Sequence, residues 1–293
     1  MYYHMSRPLR VDFQGALYHV ISRGNARQKI FFDDVDRERF LENLCYCIHV
    51  HNLVCHAFCL IGNHYHLLLE TPDGNLSAAM RDINGVYTQK FNKRHNRSGH
   101  LFQARFKAFL IEKELYFLAV GRYIVLNPVV ARVVRDPKNW KWSSYRATAG
   151  YVSAPDWLDI NSTLGLFSKR SIVAKQKYRE YIHGGDDSVN PYDELEEGFI
   201  LGSPQFVYSV WKKTDWSEEI KDYPRSQRVV GRMSIEEIFD DVESVAERDK
   251  TIVFARERCG YLISEIAKHL GLDNSTVGKI ARGKYHNKNL RKK

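Results

Sequence analysis

Residues 55–71, CHAFCLIGNHYHLLLET, decide the fold and contain two short apolar runs separated by a glycine-asparagine pair at 62–63. The second run opens with His64, Tyr65 and His66. Successive side chains of a strand point to opposite faces, so the two histidines share one face and Tyr65 lies on the other. Two imidazoles on one face can bind a divalent metal ion with open coordination positions. An ordinary half-buried strand would give the same pattern, so the metal hypothesis needs a third ligand from elsewhere.

The segments around this stretch have the periodicities of further strands and helices. They predict strands at 16–23 and about 106–111, and helices at about 35–51, 76–94 and 112–127. The resulting order is β-α-β-β-α-β-α. Such a chain folds most simply in the α+β class, as a ferredoxin-like or RRM-like antiparallel sheet with helices on one face. The two central strands would then carry the histidines.

The last of these helices offers a third ligand. Tyr123 and Asn127 are four residues apart in GRYIVLNPVV, which places them one helical turn apart on one face. Pro128 disfavours helical geometry at the residue before it, so we expect the helix to end at Asn127. An asparagine carbonyl is a suitable ligand for Mg²⁺ or Mn²⁺. Tyr123 could then reach a substrate held by that metal, although a tyrosine near a helix end more often serves in packing.

Composition and charge narrow the class of protein. The chain has 293 residues, enough for about two domains, and its 44% hydrophobic content excludes a disordered protein. The net charge is +9, and residues 261–293 carry eight basic against two acidic side chains, which is +6 of it. A basic end indicates a polyanionic partner, most often nucleic acid, although a solvated tail would have the same charge.

Neither the N-terminal residues nor any later segment has the apolar run of about 18 residues that a membrane span needs, so no membrane partner is expected. Four of the five cysteines lie at 45, 47, 55 and 59, without a paired CxxC motif. This spacing fits no usual zinc knuckle and favours reduced thiols in the cytoplasm.

The C-terminal segment has helix-turn-helix spacing. In LISEIAKHLGLDNSTVGKIA, residues 262–281, apolar side chains pack a first helix, Gly271 turns the chain, and a second helix opens at Asn274. Further helices are expected at 234–245, with a capping box, and at 250–259. We therefore predict three regions: a catalytic domain at 1–150, a helical extension and linker at 151–230, and an all-α helix-turn-helix domain at 231–293. Such helix pairs also occur as plain packing.

Three motifs, in this order and spacing, resemble the single-tyrosine HUH transposases, and most of all the REP-associated tyrosine transposases. They are GNHYHLLLE at 62–70, GHLFQARFKAFLI at 99–111 and RYIVLNPVVARVV at 122–134. The resemblance covers residues 9–147 and continues weakly near 199–207. It implies that His64 and His66 are metal ligands, that Asn127 is the polar ligand, and that Tyr123 is the nucleophile. The product would be a 5′-phosphotyrosine with a free 3′-hydroxyl, and no nucleotide cofactor would be needed.

Two departures from the family pattern lie in the first motif. The family usually has Pro-Asn-His where this chain has Gly62-Asn63-His64, and an aliphatic residue where this chain has Tyr65. Neither departure removes a ligand. We interpret Tyr65 as a packing residue because it should face away from the metal.

DNA contacts are expected from cationic and polar side chains near the site and from the C-terminal helix pair, which resembles the DNA-binding domain of the chromosomal replication initiator in its DNSTV sequence. Arg105 and Lys107 should alternate on one strand face, although solvated cations would give the same pattern. The candidates near the site are Arg7, Arg10, Arg23, Asn25, Arg105 and Lys107. The candidates in the helix pair are Asn274, Ser275, Thr276, Lys279, Arg282 and Lys284.

The sequence therefore predicts a transposase that uses Mg²⁺ or Mn²⁺ to cleave and rejoin single-stranded or hairpin, REP-like DNA, and that binds duplex DNA through its C-terminal domain. We expect a monomer or homodimer in the bacterial cytoplasm, associated with the nucleoid. Two alternatives stay open, a nucleic-acid-binding regulator without catalysis and a metal-dependent endonuclease that uses water. A trapped protein–DNA adduct would separate the first function from both.

Overall fold

A computed structural model describes residues 12–184, 190–192, 199–213, 234–240, 242, 244–257 and 259–282. The chain divides into two compact units. The first unit comprises residues 10–194 and 199–203, and the second comprises residues 1–9, 195–198 and 204–293.

The first unit alternates strands and helices in the predicted order, with three added helices and a fifth strand. Its strands are β1 (Ala16–Arg23), β2 (Val54–Ile61), β3 (His64–Thr71), β4 (Lys107–Ile111) and β5 (Ile200–Leu201). Its helices are α1 (Asp34–Val50), α2 (Leu76–Arg94), α3 (Lys113–Val130), α4 (Tyr145–Thr148), α5 (Asn161–Gly165) and α6 (Ser171–Gly184). The bounds of β1 and α2 match those expected from the sequence.

The five strands form one sheet in the order β2-β3-β1-β4-β5. All neighbours run antiparallel except β4 and β5, which are parallel. The first four strands have the order of a ferredoxin-like sheet, in which β1 and β3 are central. In this register Ile21 lies opposite His66 and Arg23 lies opposite His64, so the end of β1 flanks both histidines.

Helices cover both faces of this sheet, so the prediction that all of them lie on one face is wrong. On the Tyr65 face, the ring of Tyr65 packs against Phe40 of α1, with centroids 4.7 Å apart, and its hydroxyl donates to Asn84 of α2. On the opposite face, Phe117 of α3 lies 5.0 Å from the ring of His56. Because α1 and α2 already occupy the first face, the apolar α3 buries its side chains against the second.

Helix α3 continues past Asn127 to Val130, so the predicted end at Asn127 is also wrong. The last turn closes through the Ala131 N–H, which donates to the Asn127 carbonyl over 2.8 Å. Pro128 removes only one backbone donor, and only two helical residues follow it. Val125 and Leu126 are buried, and their packing outweighs the local preference of the residue before proline. Asn127 therefore stays on regular helix, one turn after Tyr123.

Residues 145–182 pack against the far side of α3. Tyr145, Ala174, Tyr178 and Ile182 form one buried cluster with residues 125 and 126 of α3. The neighbouring Arg122 donates from Nε to the Ile182 carbonyl over 3.2 Å. Helices α4 and α6 therefore hold the middle of α3 in place.

The strands β2 and β4, which flank the two central strands, both gain further backbone partners within the first unit. On the β2 edge, the N–H of Leu60 donates to the Trp142 carbonyl, and the N–H of Ser144 donates to the Phe58 carbonyl. On the β4 edge, Leu110 donates to the Phe199 carbonyl beside β5. Backbone donors that an exposed edge strand would offer to another chain are thus satisfied internally.

The second unit is helical over its described residues. Its helices are α7 (Pro204–Lys213), α8 (Ile235–Phe239), α9 (Val245–Glu257), α10 (Ile263–Leu270) and α11 (Asn274–Ala281). The helix predicted at 234–245 is wrong in its length, because α8 ends at Phe239. A capping box starts α9, where Ser244 and Glu247 each accept from the other's backbone N–H.

The helix pair α10–α11 matches the two helices expected near the C-terminus. Gly271 joins them with φ of +62°, a conformation that favours glycine. Ile266 of α10 and Val277 of α11 are buried in one core with Ile252 of α9. Within the described ranges of both units, no helix is long and apolar enough to cross a membrane.

A buried histidine ties the sheet to the segment that follows it. His56 is 2% exposed, and its Nε2 lies 2.9 Å from Glu70 Oε2 while its Nδ1 lies 3.2 Å from Asp159 Oδ2. Burial by itself lowers the pKa of His56, but the two carboxylates outweigh burial and raise it. The hydrogen bond with His56, followed by Lys113, lowers the pKa of Glu70 to about 2, and the same histidine lowers the pKa of Asp159.

We expect His56→Gln to lower the free energy of unfolding by about 2–3 kcal/mol at pH 6, because it leaves Asp159 without a cation and Glu70 with Lys113 alone. The raised pKa of His56 means that its contribution is present below pH 6.5 and is lost as the pH rises through its folded pKa. The lowered pKa values of both carboxylates mean that their contribution is lost as the pH falls toward 2. The deficit of the variant should therefore shrink between pH 6 and 9.

Urea unfolding at both pH values measures this deficit. His51→Gln is the matched control, since His51 pairs with Asp82 over 2.8 Å at a more exposed position and should cost less than about 1 kcal/mol. A deficit for His56→Gln that is equal at pH 6 and pH 9 would contradict the assignment of a charged His56.

Candidate active site

The site lies on the face of the sheet that α3 covers. His64 and His66 share this face, as their spacing predicted, and their ring centroids are 5.0 Å apart. His66 is 3% exposed, whereas His64 is half-buried at the start of β3. The alternation of a β-strand is what brings both imidazoles to one place.

Helix α3 brings Asn127 and Tyr123 to the same histidines. Asn127 is buried, and its Oδ1 lies 3.4 Å from Nε2 of His64. Tyr123 is half-buried, and its ring centroid lies 6.0 Å from that of His66, edge to face. Four side chains that are separated by up to 63 residues in the sequence therefore form one cluster.

Two acceptor atoms face each other between His64 and Asn127. Nδ1 of His64 lies 2.6 Å from Oδ1 of Asn63, and the amide nitrogen of Asn63 donates to the Arg27 carbonyl. An amide oxygen only accepts, so Nδ1 carries the hydrogen and Nε2 presents a lone pair toward Asn127 Oδ1. Neighbouring ligands of an octahedral cation about 2.1 Å away would be about 3 Å apart, which is close to the observed 3.4 Å.

His66 has a buried nitrogen that no described side chain satisfies. Its Nε2 has no hydrogen-bond partner within the described part of the chain, while its Nδ1 lies 2.8 Å from Nε2 of His19. An unpaired buried polar atom next to a converging pair of acceptors fits the donor set of a divalent cation. Across the described ranges, no three His, Cys, Asp or Glu side chains form a metal site, and the third candidate ligand beside the two histidines is an amide, Asn127.

Burial lowers the pKa values of the three histidines. The pKa of His66 is well below its ordinary value because of burial and then because of the neighbouring His19 and His64. Burial lowers the pKa of His19 to about 3, and burial followed by Arg23 lowers that of His64. All three rings are therefore neutral near pH 7, which is the form that binds metals.

Two site residues, His19 and Tyr192, were not predicted from the sequence. His19 lies in β1 and is fully buried beneath the site. Tyr192 lies outside the resembling segment, yet its hydroxyl is 2.5 Å from Nδ1 of His19. Its ring also packs against Phe109 at 4.7 Å and Tyr123 at 5.7 Å between centroids. Only long-range pairing brings these residues to the site.

Only some of the residues predicted to contact DNA near the site lie among the described residues. Arg23 and Lys107 are exposed and lie on the site's face of the sheet, opposite His64 and Ile21 respectively. Asn25 is exposed in the turn after β1. Arg105 precedes β4, which begins at Lys107, so the prediction that Arg105 and Lys107 alternate along one strand is wrong. The predicted contacts Arg7, Arg10 and Lys284 lie outside the described residues.

Three of the predicted base-contacting residues of the second unit lie in the first turn of α11, whereas Lys279 lies in its last turn, so the prediction that Lys279 is at the start of this helix is wrong. Asn274, Ser275 and Lys279 are exposed, and Thr276 is half-buried. Arg282 follows the helix, and its Nε donates to the Gly278 carbonyl over 2.8 Å. Helix α11 therefore presents polar side chains at its start and a basic side chain near its end to solvent.

Comparison with known proteins gives one family. Residues 12–127 match the model of the family described as "Transposase IS200 like". This segment runs from just before β1 to Asn127 and contains both histidines and Tyr123. The match supports a transposase role, and hence an enzyme, for this part of the chain. No curated protein matches the chain.

Two solved structures are similar to the chain at low identity. A REP-associated tyrosine transposase bound to a REP hairpin is 18% identical, with a TM-score of 0.44 over 52% of this chain and 89% of that one. A putative transposase from Deinococcus radiodurans R1 is 16% identical, with a TM-score of 0.30 over 41% of this chain and 96% of that one.

Proposed function

We propose that this protein is an HUH-type, metal-dependent transposase that cleaves and rejoins single-stranded DNA through a 5′-phosphotyrosine on Tyr123. The observation that carries the proposal is the convergence of Nε2 of His64, Nε2 of His66 and Oδ1 of Asn127 beside the ring of Tyr123. Nitrogen and oxygen donors of this kind suit Mg²⁺ or Mn²⁺. The family match at residues 12–127 supports the same class of reaction.

A bound divalent cation would polarise the scissile phosphate and neutralise charge that develops on it. His64, His66 and Asn127 would hold that cation. Tyr123 would then attack the phosphorus through its phenolic oxygen, losing its proton to solvent, while the bond from phosphorus to the 3′-oxygen breaks and that oxygen is protonated. The phosphotyrosine conserves a phosphoester, so a second 3′-hydroxyl can reverse the step and join strands.

The exposed cations around the cluster suit a single-stranded substrate. Arg23 and Lys107 lie on the same face of the sheet as the histidines and would bind phosphates on either side of the scissile bond. A hairpin, REP-like substrate is proposed because it would present an unpaired strand to this face while its stem stays outside.

One experiment tests the proposal against both alternatives. The full chain is incubated with a labelled single-stranded hairpin and Mn²⁺, and the products are separated on a denaturing gel. A metal-dependent, slowly migrating protein–DNA adduct supports the transposase. Cleaved DNA without adduct would instead indicate an endonuclease that uses water, and DNA binding without cleavage in a gel-shift assay would indicate a regulator.

We further propose that α11 binds duplex DNA. Lys279→Ala should weaken binding of a random-sequence duplex severalfold and reduce the slope of log affinity against log salt by about one, since one phosphate contact is lost. Fluorescence anisotropy between about 50 and 200 mM salt measures the affinity and the slope, because protein–DNA affinity changes strongly with salt over this range. Lys250→Ala, an exposed lysine on α9, removes the same charge and should leave the slope unchanged. Equal slopes for Lys279→Ala and the unmodified protein would count against α11.

A further inference from the structure

We propose that His19 is a positioning residue, which accepts a hydrogen bond from Nδ1 of His66 and so directs Nε2 of His66 toward the cation. This inference rests on the metal role proposed above. It adds a residue that neither the sequence motifs nor the family match assigns. His19 lies in the central strand β1 and contacts the proposed ligand His66 without being a ligand itself.

The contact is short and shielded from water. Nε2 of His19 lies 2.8 Å from Nδ1 of His66, and the two rings stack at 5.1 Å between centroids with an interplanar angle of 21°. His19 is 0% exposed and His66 is 3% exposed. A hydrogen bond between two buried groups has no water to replace it, so its loss leaves a polar atom unsatisfied.

The direction of the hydrogen bond follows from the other nitrogen of His66. A nitrogen that binds a metal carries no hydrogen, so a ligating Nε2 requires the hydrogen on Nδ1. Nδ1 then donates, and Nε2 of His19 accepts. In the opposite direction, Nε2 of His66 would carry a hydrogen and could not bind the cation.

Neighbouring rings hold His19 in the orientation that this role needs. Nδ1 of His19 lies 2.5 Å from the hydroxyl of Tyr192, which can accept the remaining N–H of His19. The ring of Phe109 stacks on His19 at 6.1 Å between centroids. Metal-ligating histidines usually donate their second N–H to such a partner, which fixes the ring and raises its basicity.

The test measures Mn²⁺ binding by titration calorimetry, without DNA. His19→Phe keeps an aromatic ring but removes the acceptor, and should weaken Mn²⁺ binding about 10–100-fold. His19→Gln supplies a side-chain oxygen that can accept from Nδ1, and should restore affinity to within about threefold of the unmodified protein. His56→Gln removes another buried histidine of the same sheet, outside the site, and should leave Mn²⁺ affinity unchanged.

The outcomes separate this inference from the proposed function. If the unmodified protein binds no Mn²⁺, the metal role itself fails. If it binds Mn²⁺ and folded His19→Phe binds it equally well, the positioning role is overturned. Nitrogen-15 NMR of histidine-labelled unmodified protein gives a second readout that needs no variant to fold. We expect the hydrogen of His66 on Nδ1, and its location on Nε2 would overturn the inference.

Discussion

Replacing Tyr123 with phenylalanine is expected to abolish the covalent protein–DNA adduct while the protein still folds, binds Mn²⁺ and binds DNA. The change removes one oxygen from a half-buried ring and keeps the edge-to-face contact with His66. Without that oxygen no phosphotyrosine can form, so strand cleavage should fall at least about a thousandfold. The assay is the denaturing gel with labelled hairpin DNA, followed by mass spectrometry of the labelled peptide.

The label is expected on the peptide that contains Tyr123. Tyr65→Phe is the matched control, because Tyr65 faces the opposite side of the sheet, where its hydroxyl donates to Asn84. The Tyr65→Phe variant should therefore still form the adduct. Cleavage that continues in Tyr123→Phe would show that water is the nucleophile. An adduct that survives in Tyr123→Phe and disappears in Tyr192→Phe would transfer the role to Tyr192, whose ring lies beside Tyr123.

Removing either of the two histidines proposed as metal ligands should have a comparable effect. His66→Ala and His64→Ala should each lower cleavage about a thousandfold or more, since the charge that stabilises the transition state is lost with the cation. Hairpin binding should fall much less, because Arg23 and Lys107 lie on the same face and remain. Cleavage rates at several Mn²⁺ concentrations and hairpin affinity in a chelator measure the two effects.

Because His66 is buried, His66→Ala also creates a cavity, and His66→Gln provides a variant of more similar volume. Both variants should lose cleavage, and thermal unfolding should show that His66→Gln remains folded. His51→Gln, at an ion pair on the surface, is a control that should keep full activity. Chelator-insensitive cleavage by the unmodified protein would contradict a metal role for the histidines.

The parts of the site that could be predicted from sequence are those fixed by local periodicity. Strand alternation placed His64 and His66 on one face, and helical spacing placed Asn127 one turn after Tyr123. His19 could not be placed in this way, because its contact with His66 depends on β1 pairing with β3. Tyr192 is 173 residues from its partner His19, and no local pattern indicates such a contact.

The wrong predictions have a common physical cause, which is tertiary packing that overrides a local rule. The residue before Pro128 stays helical because the surrounding turn is buried. Helix α3 packs on the face of the sheet that α1 and α2 leave unoccupied. Apolar residues lie on most sides of α3, so its sequence periodicity does not indicate which face of the sheet it covers. In the second unit, the helix expected at 234–245 ends at Phe239, and the capping box at Ser244 begins α9 earlier than the start expected at residue 250.

The backbone partners of β2 and β4 affect how two copies of this chain could associate. Residues 142–144 satisfy donors and acceptors of β2, and β5 satisfies those of β4, so the sheet is not left open to extend into a second copy through these strands. His66 and Tyr123 also meet within a single chain. The groups proposed above to hold the cation and to attack the phosphate therefore come from one polypeptide, and the proposed mechanism needs no partner chain to supply its nucleophile.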